Sequence, residues 1–465
     1  MTTKSEDIDL SCSTSSFTIS IHNRDYSSWS FYIDEPNKPI EYPSLSSIHP
    51  LNDKLFNGDV ITLNNNKIQN IVSKYKCQQN IPGVLILDGN KTFGRTPNKK
   101  RLYYKCVPFD SGLPIFLLPY NAPVGFSKVQ VNHYVTFHID QWEGKHPTGI
   151  LTETLGCVDD LNAFYEYQLH CNHLNTSLTK FTKTVHSLLK PNHDEEYISQ
   201  IVNNDKFRFE DRQSEYVFSI DPAGCVDIDD AFSIQLIDDT HYRVSVYIAN
   251  VFVWLETFHL WSELTSRPST IYLPDRKRCM LPARLSDDLC SLHQDQTRFA
   301  LAMDIILDLN GNRIPDRVPQ YKNVIVRVKK NFAYEEPSLL KNTHYKSMFT
   351  LAKSMDASIK DSHDVVAHFM VLMNVEVGEF MKKQDIGIFR ASTYISQKET
   401  EPVLDHLNIE TRRMIRNWNN TITEYTTSNN VTQHVLMGVG AYVHITSPIR
   451  RIVDLLNQTL LFKYT

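Results

Sequence analysis

From residue 15 to about 180 the apolar residues come in short alternating runs: SFTISI, SFYI, GDVITL, GVLIL, RLYYKCV, PIFLLPY and KVQVNHYVTFHI. Alternation with a period of two, bounded by turn residues, is the pattern of strands that bury one face. Strands this short and this closely spaced predict small β-barrels or sandwiches, and the length accommodates two of them. Beyond residue 190 the character changes. YVFSI, AFSIQLI and YRVSVYIANV read as further strands, and then the apolar period lengthens. In HDVVAHFMVLMNVEVGEFMKK, Val365, Phe369, Leu372, Met373, Phe380 and Met381 recur near helical spacing, and the methionines read as core filling. Residues 1–14, MTTKSEDIDLSCST, are polar and predict a disordered tail. No strict internal repeat is visible. The expected organisation is an α+β multidomain chain with a tail over 1–14, β-barrels over 15–82 and 83–185, and a mixed α/β domain over 190–465.

Composition narrows the classes. Hydrophobic content of 41% and charged content of 22% are those of an ordinary globular protein. A net charge of −5 carries no global nucleic-acid signature, so any such contact has to come from local patches. The eight cysteines, at 12, 77, 106, 157, 171, 225, 279 and 290, form no CxxC pair, which argues against a zinc site. With no signal peptide in view they predict reduced thiols. No apolar run approaches the length of a membrane span. The expectation is a soluble intracellular protein without a membrane partner, the cytoplasm being favoured over the nucleus.

One stretch departs from this ordinary background. SIDPAGCVDIDDA, residues 219–231, holds Asp221, Asp227, Asp229 and Asp230 with no basic residue among them. Crowded carboxylates repel and push at least one pKa upward, so a cation or a solvated loop must relieve them. A solvated acidic turn is the ordinary fate of such a run, but apolar EYVFSI precedes it and AFSIQL follows. A calcium loop of the EF-hand type needs Gly at its sixth position and Glu at its twelfth. Counted from Asp227 those places hold Phe232 and Asp238, and counted from Asp221 they hold Val226 and Phe232. A magnesium site suits the spacing better. Asp227 and Asp229 project to one side of an extended segment, and Asp221 can fold back across the PAG turn.

This stretch and three others resemble the ribonuclease II (RNB) family of exoribonucleases. SIDPAGCVDIDDAF is similar to the family's acidic signature. STIYLP with MLPARLSDDLCSL resembles its second block, HFMVLMN its long helix, and GAYVHITSPIRRIVDLL its basic C-terminal block. The blocks stand in the family's order. Upstream, HPLNDKLFNGDVI resembles the end of the family's first cold-shock-type barrel, and VTFHIDQWEGKHPTGILTETLG the second barrel of the eukaryotic, exosome-associated branch. The resemblance implies two OB or cold-shock-like barrels followed by an RNB-type catalytic domain. It implies a magnesium-dependent 3′-to-5′ exoribonuclease, with manganese as a substitute ion, acting on single-stranded RNA to release nucleoside 5′-monophosphates. By resemblance Asp221, Asp227, Asp229 and Asp230 form the metal site, with Asp221 and Asp230 as direct ligands and Asp227 supporting them, and Asp227 and Asp229 are catalytic, Asp229 being the residue most critical for hydrolysis. Tyr272 matches the aromatic that stacks on the terminal nucleotide, Arg450 the arginine that holds the scissile phosphate, and Arg451 a second basic contact. The chemistry agrees with the assignment. Phosphodiester hydrolysis needs metal-activated water, arginine offers a planar fork to phosphate oxygens, and stacking holds any base without reading it.

Each residue has a plainer reading beside this one. Tyr272 before LP can be a buried tyrosine anchoring a turn, and Arg450 with Arg451 a surface pair flanking a helix. NKKRLYYK mixes Lys99, Lys100, Arg101 and Lys105 with Tyr103 and Tyr104, which suits RNA on a barrel face or a solvated strand edge. The chain also departs from the family. Ala367 and His368 stand where a carboxylate pair is usual, Ile452 and NQTL follow SPIRR, and the stretch before the helix is short, leaving a second base-stacking aromatic unplaced. The sequence ends at Thr465 without the family's further helix and C-terminal barrel, so a protein partner supplying an RNA-binding barrel is expected. The competing expectation is a catalytically silent RNA-binding or regulatory relative. Persistence of all four aspartates favours the enzyme, because uncompensated carboxylates cost stability when no ion relieves them.

Overall fold

The computed structural model describes residues 16–33, 45–64, 67–121, 130–264, 267–394, 408, 411–412, 421–430 and 434–465. The tail expected over 1–14 lies outside them. The chain divides into two units, Met1–Asn175 and Thr176–Thr465. This divide falls before the expected 185–190 junction for a physical reason. Helices Thr179–Leu188 and Asp194–Val202 bury Phe181, Val185 and Ile201 in the core of the second unit.

In the first unit the alternating runs become two antiparallel sheets. One has the order Trp29–Tyr32, Ser16–Ile21, Val60–Asn64, Lys67–Val72. Its alternation sends Phe17, Ile19 and Ile21 inward against Phe31, Leu55 and Ile61. The other has the order Phe116–Tyr120, Leu102–Pro108, Ile81–Leu85, His133–Ile139, Gly149–Cys157 around Leu85, Cys106, Phe116, Val135 and Phe137. A bridge between Leu117 and Thr148 joins its two edges and closes the barrel. At that closure Leu118 and Phe137 stand 2.7 and 2.8 Å from where a side chain at Gly149 would begin, so only glycine fits.

The second unit is built on a six-stranded sheet in the order Glu210–Asp211, Gln320–Ala333, Val217–Asp221, Asp230–Asp238, His241–Ala249, Thr297–Asp308. Thr297–Asp308 also pairs with Gln320–Ala333, so the sheet curls back on itself. Its strands read as nearly continuous apolar runs because both faces are covered. Period two sorts them. Val244, Val246 and Ile248 enter one core with Phe232 and Leu301, while Tyr247 and Ala249 enter the other with Ala231 and Ala300. Helix Ser362–Lys383 covers the first of these cores through Phe369, Met373 and Val377. Asp361 starts this helix by accepting the backbone N–H of Asp364 at 3.0 Å. Gly378 lets the backbone of residues 441–442 approach it, since a Cβ there would meet Ala441 at 3.2 Å.

Arg212 sits on the second face, 1% exposed. It grips both oxygens of Asp304 at 2.7 and 2.6 Å and bonds Glu210 at 2.7 Å, and Ser245 donates to Asp304 at 2.7 Å. A charge so buried is stable only with such a complement. Arg212→Met keeps the bulk but strands Asp304, and should destabilise the second unit by about 3–5 kcal/mol. Denaturant unfolding of the parent and the variant measures the difference.

Candidate active site

The four aspartates are brought together by a loop between two antiparallel strands. Asp221 closes strand Val217–Asp221 and Asp230 opens strand Asp230–Asp238, so the two lie at opposite ends of one turn. Gly224, at φ 79°, makes the turn possible, and the N–H of Cys225 donates to the carbonyl of Pro222 at 3.0 Å. Ile228 anchors the far arm. Its side chain is buried, its N–H donates to Ser291 Oγ at 2.9 Å and its carbonyl accepts from the N–H of Leu292 at 3.0 Å. With Ile228 facing the core, its neighbours Asp227 and Asp229 both face a cavity of about 520 Å³, which Asp221, Asp230, Tyr272, Tyr334, Arg450 and Arg451 also line.

The opposite wall comes from the far end of the chain. Asp229, 3% exposed, accepts from the backbone N–H of Ile449 and from Nε of Arg450, both at 3.0 Å. Asp454, on helix Ile452–Leu461 and fully buried, accepts from the N–H of Ser447 and from Nη2 of Arg451, both at 2.8 Å. These two carboxylates fix both ends of the turn that presents the arginines. Asn374, from the long helix, accepts from the N–H of Ile445 at 3.1 Å and holds the preceding residues. The N–H of Thr270 donates to the carbonyl of Arg450 and that of Ile452 to Pro268, each at 2.8 Å. This pairing carries hairpin Ile271–Tyr272 with Lys277–Arg278 to the pocket. The Tyr272 ring is 60% exposed, which excludes the buried-turn reading, and its hydroxyl lies 3.5 Å from Asp227. Lys277, beside it, places Nζ 2.9 Å from Asp227 Oδ1.

Burial governs the electrostatics. It pushes Asp229 up to about 7 against the pull of Arg450, and Asp221 up to about 6 with help from Asp227. Asp230 is raised strongly by burial and by Asp221 and Asp229. Burial, with Arg451 and Arg390 nearby, drives His444 down to about 3, so this lining residue is neutral. The donor set suits a hard cation. Among the described residues the Asp221 carboxylate is bonded only to Ser219 Oγ, at 2.7 Å, and Asp230 Oδ2 is shut from solvent with no partner. Among the described residues no three His, Cys, Asp or Glu side chains converge into a ready cage. Magnesium does not need one. It is commonly held by one or two carboxylates, with water and substrate phosphate completing its shell. Asp221 and Asp230 fit that role.

The sequence reading missed several residues here. Tyr334 lines the pocket with His363 stacked on it at 3.7 Å. Lys277 and Asp454 are single charges without a pattern, although an aspartate in the first turn of a helix and three positions after an arginine is a usable signal for Asp454. At the helix, Val366 and Met370 line the pocket, whereas Ala367 and His368 do not. Lys99, Lys100 and Arg101 are exposed on a turn of the second barrel, where the Thr96 N–H donates to the Arg101 carbonyl at 3.0 Å. Tyr104 is core, 5% exposed, and the aromatic that meets a cation on that sheet is Phe93, with Lys105 Nζ 4.8 Å from its centroid.

Comparison with known proteins places these features. The RNB domain model matches residues 209–357 and 338–465, more than half of the chain. A curated relative, DIS3-like exonuclease 2 of Schizosaccharomyces pombe, is 29% identical over 251 residues, covering 51% of this chain and 26% of its own length. The chain thus spans about a quarter of that relative. Among solved structures, Mycoplasma genitalium RNase R in complex with ribose-methylated single-stranded RNA aligns with a TM-score of 0.66 and 18% identity, over 97% of this chain and 79% of that one. Yeast Ssd1, a pseudonuclease, aligns with a TM-score of 0.59 and 14% identity, over 96% and 68%. Both likenesses establish the fold, including its OB-like barrels.

The burial of Asp221, with Asp227 adding to it, has a measurable cost in the metal-free protein. A carboxyl raised in the folded state from its ordinary 3.8 to about 6 holds its proton more tightly there than when unfolded. Stability is therefore lost as pH rises through that window. Asp221→Asn removes the loss. In EDTA its advantage over the parent should be small near pH 4, grow to about pH 6 and then level off at about 1–3 kcal/mol, at roughly 1.4 kcal/mol per pKa unit. Thermal unfolding at a series of pH values reads the difference.

Proposed function

Because this chain belongs to the RNB family, we propose that it hydrolyses single-stranded RNA from the 3′ end with magnesium, or manganese in its place, and releases nucleoside 5′-monophosphates. One observation carries the reading. A single cavity joins two carboxylates that lack ion pairs among the described residues, an arginine held by Asp229 and an exposed aromatic ring. Asp229 spends its hydrogen bonds on Ile449 and Arg450, so its work is to hold the guanidinium rigidly. Arg450 uses only Nε for that bond among the described residues, leaving Nη1 and Nη2 for the oxygens of a phosphodiester. Tyr272 offers its face to the terminal base without reading it, which suits a strand of any sequence. A divalent ion at Asp221 and Asp230 supplies Lewis acidity toward the phosphoryl group and a more acidic water. A water oxygen bonds to phosphorus, the bond to the 3′ oxygen of the preceding nucleotide breaks, and that oxygen takes up a proton.

A second reading, a silent RNA-binding relative, is favoured by Ala367 and His368 at the carboxylate positions and by a fold shared with a pseudonuclease. End-labelled single-stranded RNA, incubated with and without magnesium, separates the two. Shortening that depends on the ion supports the nuclease. RNA binding without shortening under any divalent ion supports the silent relative.

Two substitutions test the roles. Asp229→Asn can still accept from Ile449 but loses its charge toward Arg450. Cleavage should fall by about 100-fold or more with RNA binding retained, and a rate within a few-fold of the parent would remove Asp229 from the mechanism. Tyr272→Ala should weaken binding by about 1–3 kcal/mol and change the length of the final short product. An unchanged product ladder at equal extent of digestion would show that the ring does not hold the terminal nucleotide.

A further inference from the structure

Behind the pocket's lining, against Asp227, stands a cation of the protein's own that the hydrolysis does not use. Lys277 reaches from the hairpin that carries Tyr272, its direct cross-strand partner, and places Nζ 2.9 Å from Asp227 Oδ1 and 3.1 Å from Asp287 Oδ1. Its side chain is one-quarter exposed and that of Asp227 about half as much, so water does little to screen the pair. Asp287 belongs to a separate element, the π-helical turn Arg284–Leu289, and is itself held by the Ser286 hydroxyl at 2.8 Å. Two carboxylates on different elements thus clamp one ammonium in place, and a clamped ammonium is an obstacle to any other cation that approaches Asp227.

The charges around the cavity then divide. Asp229 is paired with Arg450 and Asp227 with Lys277. Asp221 and Asp230 have no ion pair among the described residues, and Asp230 Oδ2 is buried without a partner. Among the carboxylates that line the cavity, those two are left without a paired cation and suit one divalent ion, while Asp287, which shares Lys277, lies outside that lining. Four free carboxylates would instead accommodate a pair of such ions. We propose that Lys277 is a resident counter-ion that keeps Asp227 out of metal coordination, so that in the absence of RNA the pocket takes up one divalent ion. This inference rests on the reading of Asp221 and Asp230 as the carboxylates that hold the ion.

The test is a titration of the EDTA-stripped full chain with Mn²⁺ in the absence of RNA, with free Mn²⁺ followed by electron paramagnetic resonance. The parent should bind one equivalent. Lys277→Gln frees Asp227 and should either bind a second equivalent or hold the first about tenfold more tightly, as an added unscreened charge implies. Lys277→Arg keeps the charge and should bind one equivalent like the parent. Two equivalents in the parent would overturn the proposal whether or not the Gln variant folds. A Gln variant equal to the parent in both count and affinity would overturn it as well. No Mn²⁺ bound by the parent would instead remove the cation reading of Asp221 and Asp230, and the role of Lys277 with it.

Discussion

A carboxylate taken out of water must be paired or protonated, and the second unit is organised around the pairing of Asp229. Its two oxygens accept one backbone N–H and one guanidinium N–H, both from a turn 220 and 221 positions further along the chain. Everything else at the site can be traced from that knot. Ile228 holds the aspartate's own loop to the core. The pairing of residues 268–270 with 450–452 brings Tyr272 and Lys277 beside it. Asp454 secures Ser447 and Arg451 at the ends of the arginine turn, although burial raises its pKa and leaves one of its oxygens without a partner among the described residues. Four segments distant in sequence thus share one small polar centre inside a largely apolar domain.

The site is also a place where the fold accepts instability. Asp221 and Asp230 lie at the two ends of the turn with burial raising both, Asp227 adding to the rise of Asp221 and Asp221 with Asp229 to that of Asp230, and among the described residues neither has an ion pair. Such frustration survives where the surrounding structure overdetermines it. Here the overdetermination is visible as the sheet buried on both faces, the pinned Ile228 and the long helix locked by Asp361 at its start and by Gly378 at its contact with residues 441–442. A rigid frame holds two charges in readiness that water would otherwise separate.

Much of this was legible in the residues, unevenly and for physical reasons. The barrel strands are plain in the sequence because each buries one face, so Phe17, Ile19 and Ile21 alternate with polar neighbours. Strand Thr297–Asp308 is harder to read, because a strand buried on both faces loses its alternation and resembles any apolar run. Helices Thr179–Leu188 and Asp194–Val202 escaped for a different reason. They are short and bury few residues each, and what assigns them to the second unit is tertiary packing. The aspartates stand out by density, and the basic turn by its resemblance to a family block. Lys277 is invisible in the same way that any isolated lysine is, since its meaning comes only from the two carboxylates that folding brings to it. The aromatic pair in NKKRLYYK also misled in part, because alternation turns Tyr104 into the barrel core and leaves Phe93, outside that run, to meet the lysines.

The bond between Asp229 and Ile449 has a bearing on how the protein comes into being. A ribosome delivers the acidic loop long before the arginine turn, and for that whole interval water stands in for the two N–H groups that the aspartate accepts from in the fold. For the 220 residues between them the nascent chain therefore carries the acidic loop without the groups that would complete it. A chain interrupted anywhere between the two segments would be left in the same condition. The polar centre is therefore completed only when the turn at 449–450 emerges, long after its acidic half.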